Sequence, residues 1–394
     1  MNYPLFFALL SICSRGLAEC FLPKSLAYLF SLAGFFLGGV LFYCSCRPVL
    51  LFKPKVLLIS TAFIISAICS LLFTLAGGAD PAYAYYLVYP VAISSSFLVF
   101  YSLRLANVDL KRVEKSVSVL VLLLFVVATV QEFKFIDLPG ATPAYGLPVD
   151  LARPSSLTGS YLHYPLVMVM FGIFIQALNQ RLTLFSLLAF ASVFLAFSRS
   201  GMILVILHFT FLLAYKFLSE SFRFSLKGVL VSFMGFFVFS GLLLISGFLE
   251  LFWERLSSSF DEKGVGNDER INAWRHGVEV FSDSELWFGS NFGGATNLTS
   301  NLIGVESYVV ESGVIQNLIN FGIVGTLVFF LFFAYMYFYS RERIFRFFLL
   351  AFFFQSFVYQ STEVLPFILG VLFLRSIDLQ SVRRYAATHS WKGR

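Results

Sequence analysis

Apolar runs of about 20 residues recur from one end of this chain to the other, and that recurrence limits its fold more than any other feature. A soluble core cannot absorb a composition that is 58% hydrophobic and 13% charged with a mean hydropathy of +0.83. Within a bilayer each such run must satisfy its own backbone, so the runs are read as helices. The expectation is an all-α polytopic integral membrane protein with about twelve spans, near 4–22, 24–43, 56–76, 82–103, 116–131, 161–178, 182–198, 201–217, 227–248, 309–339, 346–362 and 364–378. No small-residue cleavage pattern follows the first run, so residues 1–22 are expected to stay in the mature chain.

Charge then orients the spans, because Lys and Arg flanking them are retained on the cytoplasmic side. With an internal N-terminus, the even-numbered connections and the C-terminal tail hold 19 of the 28 basic residues, among them Arg104, Lys111, Arg112, Lys115, Arg343 and Arg346. Both termini are therefore expected in the cytoplasm. The net charge of +6 describes the inner face and gives no support for nucleic-acid binding. All five cysteines (Cys13, Cys20, Cys44, Cys46, Cys69) fall in the first three spans or beside them and are expected to be reduced and buried. Cys44-Ser-Cys46, with no further ligands, reads as packing and not as a metal pair.

This topology leaves two long outer loops, 132–160 and 249–308. The first is too rich in Pro and Gly for a long helix. The second carries a helix candidate from Asp268 to about Ser282, then a glycine-rich run, Gly289 to Gly294. At about 100° per residue, Ile271, Trp274, Val278 and Phe281 form an apolar stripe, with His276 on the solvated face.

Arginines outside the membrane run against the charge bias and need a reason. Arg153, Arg199, Arg255, Arg270 and Arg275 are in that position. Guanidinium groups grip phosphate bidentately and stay charged, so a diphosphate-linked lipid is an apt anionic substrate at the membrane surface. Arg275 reads equally as a surface partner of Glu279, and Arg255 as a partner of Glu250 and Glu254. Arg199, between two closely spaced spans, lies at the outer interface, where a charge is costly unless partnered. Arg15 and Glu19, four apart on the first span, read as a structural pair. Tyr83, Tyr85, Tyr86 and Tyr89 read as an aromatic belt.

Four motifs together resemble the bacterial O-antigen polymerases of Wzy type and the related O-antigen ligases. They are Arg153-Pro-Ser-Ser-Leu-Thr-Gly159, Ser198-Arg-Ser-Gly201, Arg270-Ile-Asn-Ala-Trp274 with Phe288-Gly-Ser-Asn-Phe-Gly293, and Glu311-Ser-Gly-Val-Ile-Gln-Asn-Leu-Ile-Asn-Phe-Gly322. The resemblance implies a GT-C-like membrane architecture with two periplasmic loops in the bacterial inner membrane. It implies an inverting, metal-independent glycosyltransferase using undecaprenyl diphosphate-linked sugars as donor and acceptor, without a cofactor. It places the diphosphate on Arg153, Arg199 and Arg270, with Arg275 as a further candidate, and leaves room for a chain-length regulator as partner. In the ligases the position of Glu311 is typically His followed by Asn, so Glu311-Ser312 favours a polymerase.

The residues themselves agree with chemistry driven from within the substrate. There is no nucleotide-binding loop of the G-x-x-x-x-G-K-[ST] type, and the outer loops show no Asp/His metal cluster. A base must take the proton from the attacking sugar hydroxyl. Glu311 is the first candidate, though it could instead favour its helix dipole; His163 is the second, with an interfacial histidine bonded to a carbonyl as the plainer reading. Two other functions stay open: transfer of the polymer to lipid A core, and flipping of a lipid-linked oligosaccharide. A flippase needs polar groups strung through the spans, and Asn317, Asn320 and Gln355 are the few present.

Overall fold

The computed structural model describes residues 1–46, 48–50, 53–105, 108–143, 152–196, 198–219, 267–297, 299, 310–340 and 342–377. The expected span 227–248, Arg255, Glu250 and Glu254 lie outside the described residues. Among the described residues the chain is helical, with two short antiparallel strand pairings. In order, α1 (Tyr3–Cys13), α2 (Arg15–Glu19), α3 (Lys24–Ser45), β1 (Pro48–Leu50), α4 (Pro54–Ala76), α5 (Val88–Ser102), β2 (Leu103–Leu105) and α6 (Leu110–Glu132) build the first half. After β3 (Thr142–Pro143) and β4 (Ala152–Arg153) come α7 (His163–Asn179), α8 (Leu184–Leu195), α9 (Arg199–Ser219), α10 (Asn267–Ser282), α11 (Gly313–Tyr339), α12 (Arg343–Gln355) and α13 (Leu365–Ser376).

Local signals start these helices, α6 six residues before the expected 116. Asp109 caps α6 by accepting from the amides of Lys111 and Arg112, and Thr183 with Ser186 forms a capping box on α8. Proline opens α4 and sits in the first turn of α13, where its missing N–H costs nothing.

Among the described residues, five helical segments are long and apolar enough to cross a membrane: Lys24–Ser45, Pro54–Ala76, Pro81–Ser102, Leu110–Glu132 and Gly313–Tyr339. Their outward faces carry large apolar side chains such as Leu58, Leu72, Leu122, Leu327 and Phe338, a surface that water does not tolerate and acyl chains do. This is a polytopic membrane protein. The expected first span is broken at Ser14 into α1 and α2, and α8, α12 and α13 have only 12 or 13 residues. Helices of that length reach about 18–20 Å, well short of a hydrocarbon core of about 30 Å. Ser198 and Tyr359, which follow α8 and α12, and Val364, which precedes α13, line one cavity, described below.

The two ends of the bundle separate as the alternating topology requires. At one end β1 pairs with β2, Asn179 Nδ2 donates to Glu114 Oε1 at 2.8 Å, and Gln180 Nε2 donates to Glu342 Oε2 at 2.9 Å. At the other end Gln131, near the last turn of α6, accepts from the amides of Ser155 and Ser156 at 3.0 and 2.8 Å. Arg15 joins it there, bonding Glu19 at 2.6 Å and the Gly159 carbonyl at 3.3 Å, which bears out the structural reading of that pair. Gly159 turns with φ +71°, and a Cβ on Gly16 would stand 2.5 Å from its amide nitrogen, so two glycines are needed for this backbone contact.

Three expectations are corrected. Cys13 and Cys46 are buried, but Cys20 and Cys44 are exposed and Cys69 is intermediate, because they fall on outward faces of their helices. Tyr86 and Tyr89 are no belt: the 3-10 turn Pro81–Leu87 directs them inward, where they stack at 5.5 Å and Tyr89 donates to the Thr362 carbonyl. On α10 the buried face runs through Trp274, Gly277 and Phe281, while Ile271 and Val278 stay exposed.

The longest helix, α11, is broken at Gly322 (φ +65°, ψ −169°). Its freed amides do not go unpaired. Ile323 and Val324 donate at 2.9 Å to the carbonyls of Leu286 and Trp287, in the segment that follows α10. Asn320 Oδ1 accepts from Gly293 N at 3.0 Å, and the Asn320 carbonyl accepts from Ser70 Oγ at 2.6 Å. A Cβ on Gly322 would stand 2.5 Å from the amides of Phe288 and Gly289. Gly322→Ala should therefore lower stability by roughly 2 kcal/mol or more. Gly78→Ala, also at positive φ (+86°) but with nothing within 4 Å, should cost only about 1 kcal/mol. Thermal unfolding of the purified variants measures the difference, and equal shifts would contradict the interlock.

Candidate active site

Each of the four motifs delivers one side chain to the same place. The Arg153 motif is fixed from below by Gln131 and by Ser156 Oγ, which donates to the Leu124 carbonyl at 2.8 Å, and from its start by the pairing of Arg153 with Thr142. In the second motif Ser198 Oγ accepts from the Gly201 amide at 3.3 Å, and the Ser200 carbonyl accepts from Gln355 Nε2 at 3.2 Å. Gly201 lets α9 approach closely, since a Cβ there would meet Val193 at 2.6 Å and Pro165 at 3.1 Å. Arg199, the first residue of α9, is thereby aimed at the space between the short helices. Arg270 leads the buried face of α10, and Glu311 directly precedes Ser312, whose Oγ caps α11 by accepting from Ile315 N at 3.4 Å.

Arg153, Arg199, Arg270 and Glu311 line one cavity of about 190 Å³, together with Tyr161, Leu162, Leu166, Ser198, Ser200, Tyr359, Gln360, Ser361 and Val364. Among the described lining residues are three guanidiniums and one carboxylate, beside the apolar Leu166 and Val364, an arrangement with the chemistry to hold an anion. Arg270 Nε is hydrogen bonded to Glu311 Oε2, and its guanidinium lies 5.0 Å from the Tyr359 ring centre. The Arg153 guanidinium lies 4.3 Å from the Tyr161 ring, and its buried Nε has no hydrogen-bond partner. Burial pulls the Arg153 pKa below the usual arginine range; Arg199's like charge adds to the effect, while Tyr161 and Glu311 oppose it.

The other two predicted residues are elsewhere. Arg275 is exposed on the opposite side of α10 and does not line the cavity. The expected pairing with Glu279 is corrected as well, since Glu279 stands 3.5 Å from His276. His163 begins α7 and faces Arg15 instead of the cavity, which Leu162 and Leu166 reach from their own positions on that turn and helix. Its Nδ1 is buried without a hydrogen-bond partner, so the carbonyl-bonded reading is corrected too.

The sequence reading missed the wall contributed by residues 359–364. Its signal was present, a polar interruption Tyr359-Gln-Ser-Thr-Glu363 between two phenylalanine-rich runs. Glu363 stands directly behind that wall, buried, and receives Thr296 Oγ1 at 2.8 Å, Asn297 N at 3.2 Å, Asn297 Nδ2 at 2.9 Å and Gln316 Nε2 at 2.5 Å. It ties the segment after α10 to α11, and so fixes Arg270 and Glu311 relative to each other. Of the three polar residues expected within spans, Asn320 and Gln355 make internal bonds, while Asn317 is buried with its Nδ2 unpartnered.

Burial pushes the Glu363 carboxyl above its ordinary value of 4.5, outweighing the donors that hold it down. A raised carboxyl favours the protonated form in the folded state, so its contribution is full below 4.5 and is lost as pH rises through the folded value. The stability of wild type relative to Glu363→Gln should accordingly fall as pH is raised above 4.5. Thermal unfolding of both proteins across pH checks this, and a difference that grows with pH would contradict it.

Comparison with known proteins adds an independent finding. No curated protein matches the sequence. Residues 184–330, a stretch that includes Arg199, Arg270 and Glu311, match the family model Wzy_C, described as O-Antigen ligase. The family that the four motifs resemble is the one matched, over residues 184–330.

Proposed function

We propose that the chain is a polysaccharide polymerase of the bacterial inner membrane. It joins undecaprenyl diphosphate-linked repeat units at the periplasmic face, with both termini in the cytoplasm. The observation that carries this reading is the convergence of Arg153, Arg199 and Arg270 beside Glu311 in one cavity. A volume of about 190 Å³ is below the roughly 300–1,000 Å³ that encloses a whole drug-sized ligand, so it suits a charged headgroup with the sugar chains lying outside. The basic connections at the other end of the bundle support an outward-facing cavity.

In the reaction the acceptor sugar hydroxyl attacks the anomeric carbon from the face opposite the diphosphate, with inversion. The carbon–oxygen bond to the diphosphate breaks and its electron pair leaves on the phosphate oxygen, where preorganised guanidiniums meet the developing charge. The hydroxyl proton passes to Glu311. No metal or cofactor enters these steps.

Delivery of the polymer to lipid A core is the second reading, because the matched family model carries the description O-Antigen ligase. A flippase is disfavoured, since Asn320 and Gln355 hold the fold together instead of lining a path. The test uses purified protein, lipid-linked repeat units and a chelator. A ladder of products should form, and Arg270→Ala should slow it about 100- to 1,000-fold, with Arg153→Ala and Arg199→Ala slowing it in the same direction. A ladder unchanged by all three substitutions rejects the site, and transfer to added core acceptor without self-polymerisation selects the ligase.

A further inference from the structure

In this cavity the base and the anion ligand are bonded to each other. Arg270 and Glu311 form an ion pair in which the arginine side chain is 17% exposed and the glutamate side chain 39%, so the glutamate is the more solvent-facing partner. Tyr359 backs the guanidinium from the other direction. A carboxylate and a phosphate compete for the same donor fork, and the phosphate brings more charge and a third oxygen. Arg153 lies in the same cavity with its Nε unpartnered, able to add to the hold on a phosphate but not placed on the carboxylate. As long as Glu311 is engaged by Arg270, a lone pair that should receive a proton is directed at a cation.

We propose that Glu311 is a place-holder for the substrate's diphosphate, and that arrival of the diphosphate exchanges it off Arg270 and so releases it to act as the base. This rests on the diphosphate reading given above. Donor binding and activation of the base thus become one event. Arg270 passes from carboxylate to phosphate oxygen, and the freed carboxylate of the more solvent-facing partner meets the incoming hydroxyl. On transfer the sugar oxygen bonds the anomeric carbon, the diphosphate departs with the electron pair, and the proton rests on Glu311 before passing to water. Departure of the diphosphate lets the ion pair re-form. A lone cavity glutamate serving only as a base would show no such linkage between its charge and anion affinity through Arg270.

The full chain in detergent, titrated calorimetrically with inorganic diphosphate as a stand-in for the headgroup, tests the exchange. Glu311→Gln keeps the shape and removes the competitor, so it should bind diphosphate about fivefold more tightly than wild type while losing polymerisation. In an Arg270→Ala background the same substitution should alter affinity by less than about twofold. If Glu311→Gln does not fold, Glu311→Asp, one methylene shorter, should tighten binding in the same direction. Affinity unchanged or weakened by loss of the carboxylate, or a tightening that persists without Arg270, overturns the exchange and leaves the diphosphate site standing. Absence of diphosphate binding in wild type and variants overturns that site as well.

Discussion

A helix inside an apolar bundle can be broken only where other groups take up the hydrogen bonds that the break releases, because lipid offers none. The break in α11 at Gly322 meets this condition through the segment after α10, whose Leu286 and Trp287 carbonyls receive the two freed amides. Much of the site's geometry hangs on that exchange. It anchors the loop that follows α10 to the helix that follows Glu311, and the Asn320 side chain and Glu363 extend the same junction to the glycine-rich run and to the wall at 359–364. A local backbone bargain thereby fixes the spacing of Arg270 and Glu311, which come from different parts of the sequence.

Collecting three guanidiniums in a recess between helices is costly, and the protein meets that cost by several means. Short helices α8, α12 and α13 end or begin at the cavity, so the charges need not cross the hydrocarbon core. Tyr161 and Tyr359 present ring faces to Arg153 and Arg270, and Glu311 balances one charge. The Gln355 amide, braced between the Ser200 carbonyl and Ser361, is one of several neutral hydrogen bonds that hold the cavity walls without adding charge.

Much of this was legible in the residues. The charge bias singled out Arg153, Arg199, Arg255, Arg270 and Arg275, the family resemblance narrowed them to Arg153, Arg199 and Arg270 with Arg275 as a further candidate, and the first three line one cavity. Periodicity placed the helix from Asp268 to about Ser282 but turned its stripe wrongly, because Gly277, which lacks a side chain to score, packs against Ile315 and Val310. Hydropathy could not separate a full span from a 13-residue helix followed by polar turns, as at 361–363, since the two share apolar content over a window of about 20 residues. Tyr86 and Tyr89 misled for a related reason. A tyrosine near a span's end is the same letter whether it faces the interface or is turned into the core by a 3-10 turn.

The central claim is that the cavity formed by Arg153, Arg199, Arg270 and Glu311 holds a diphosphate headgroup. A cryo-electron microscopy map of the protein in a lipid nanodisc with an unreactive polyprenyl diphosphate tests it most directly. The account predicts headgroup density within about 3.2 Å of all three guanidiniums, with Glu311 displaced from Arg270. Headgroup density at the opposite end, beside Gln180 and Glu342, would contradict it.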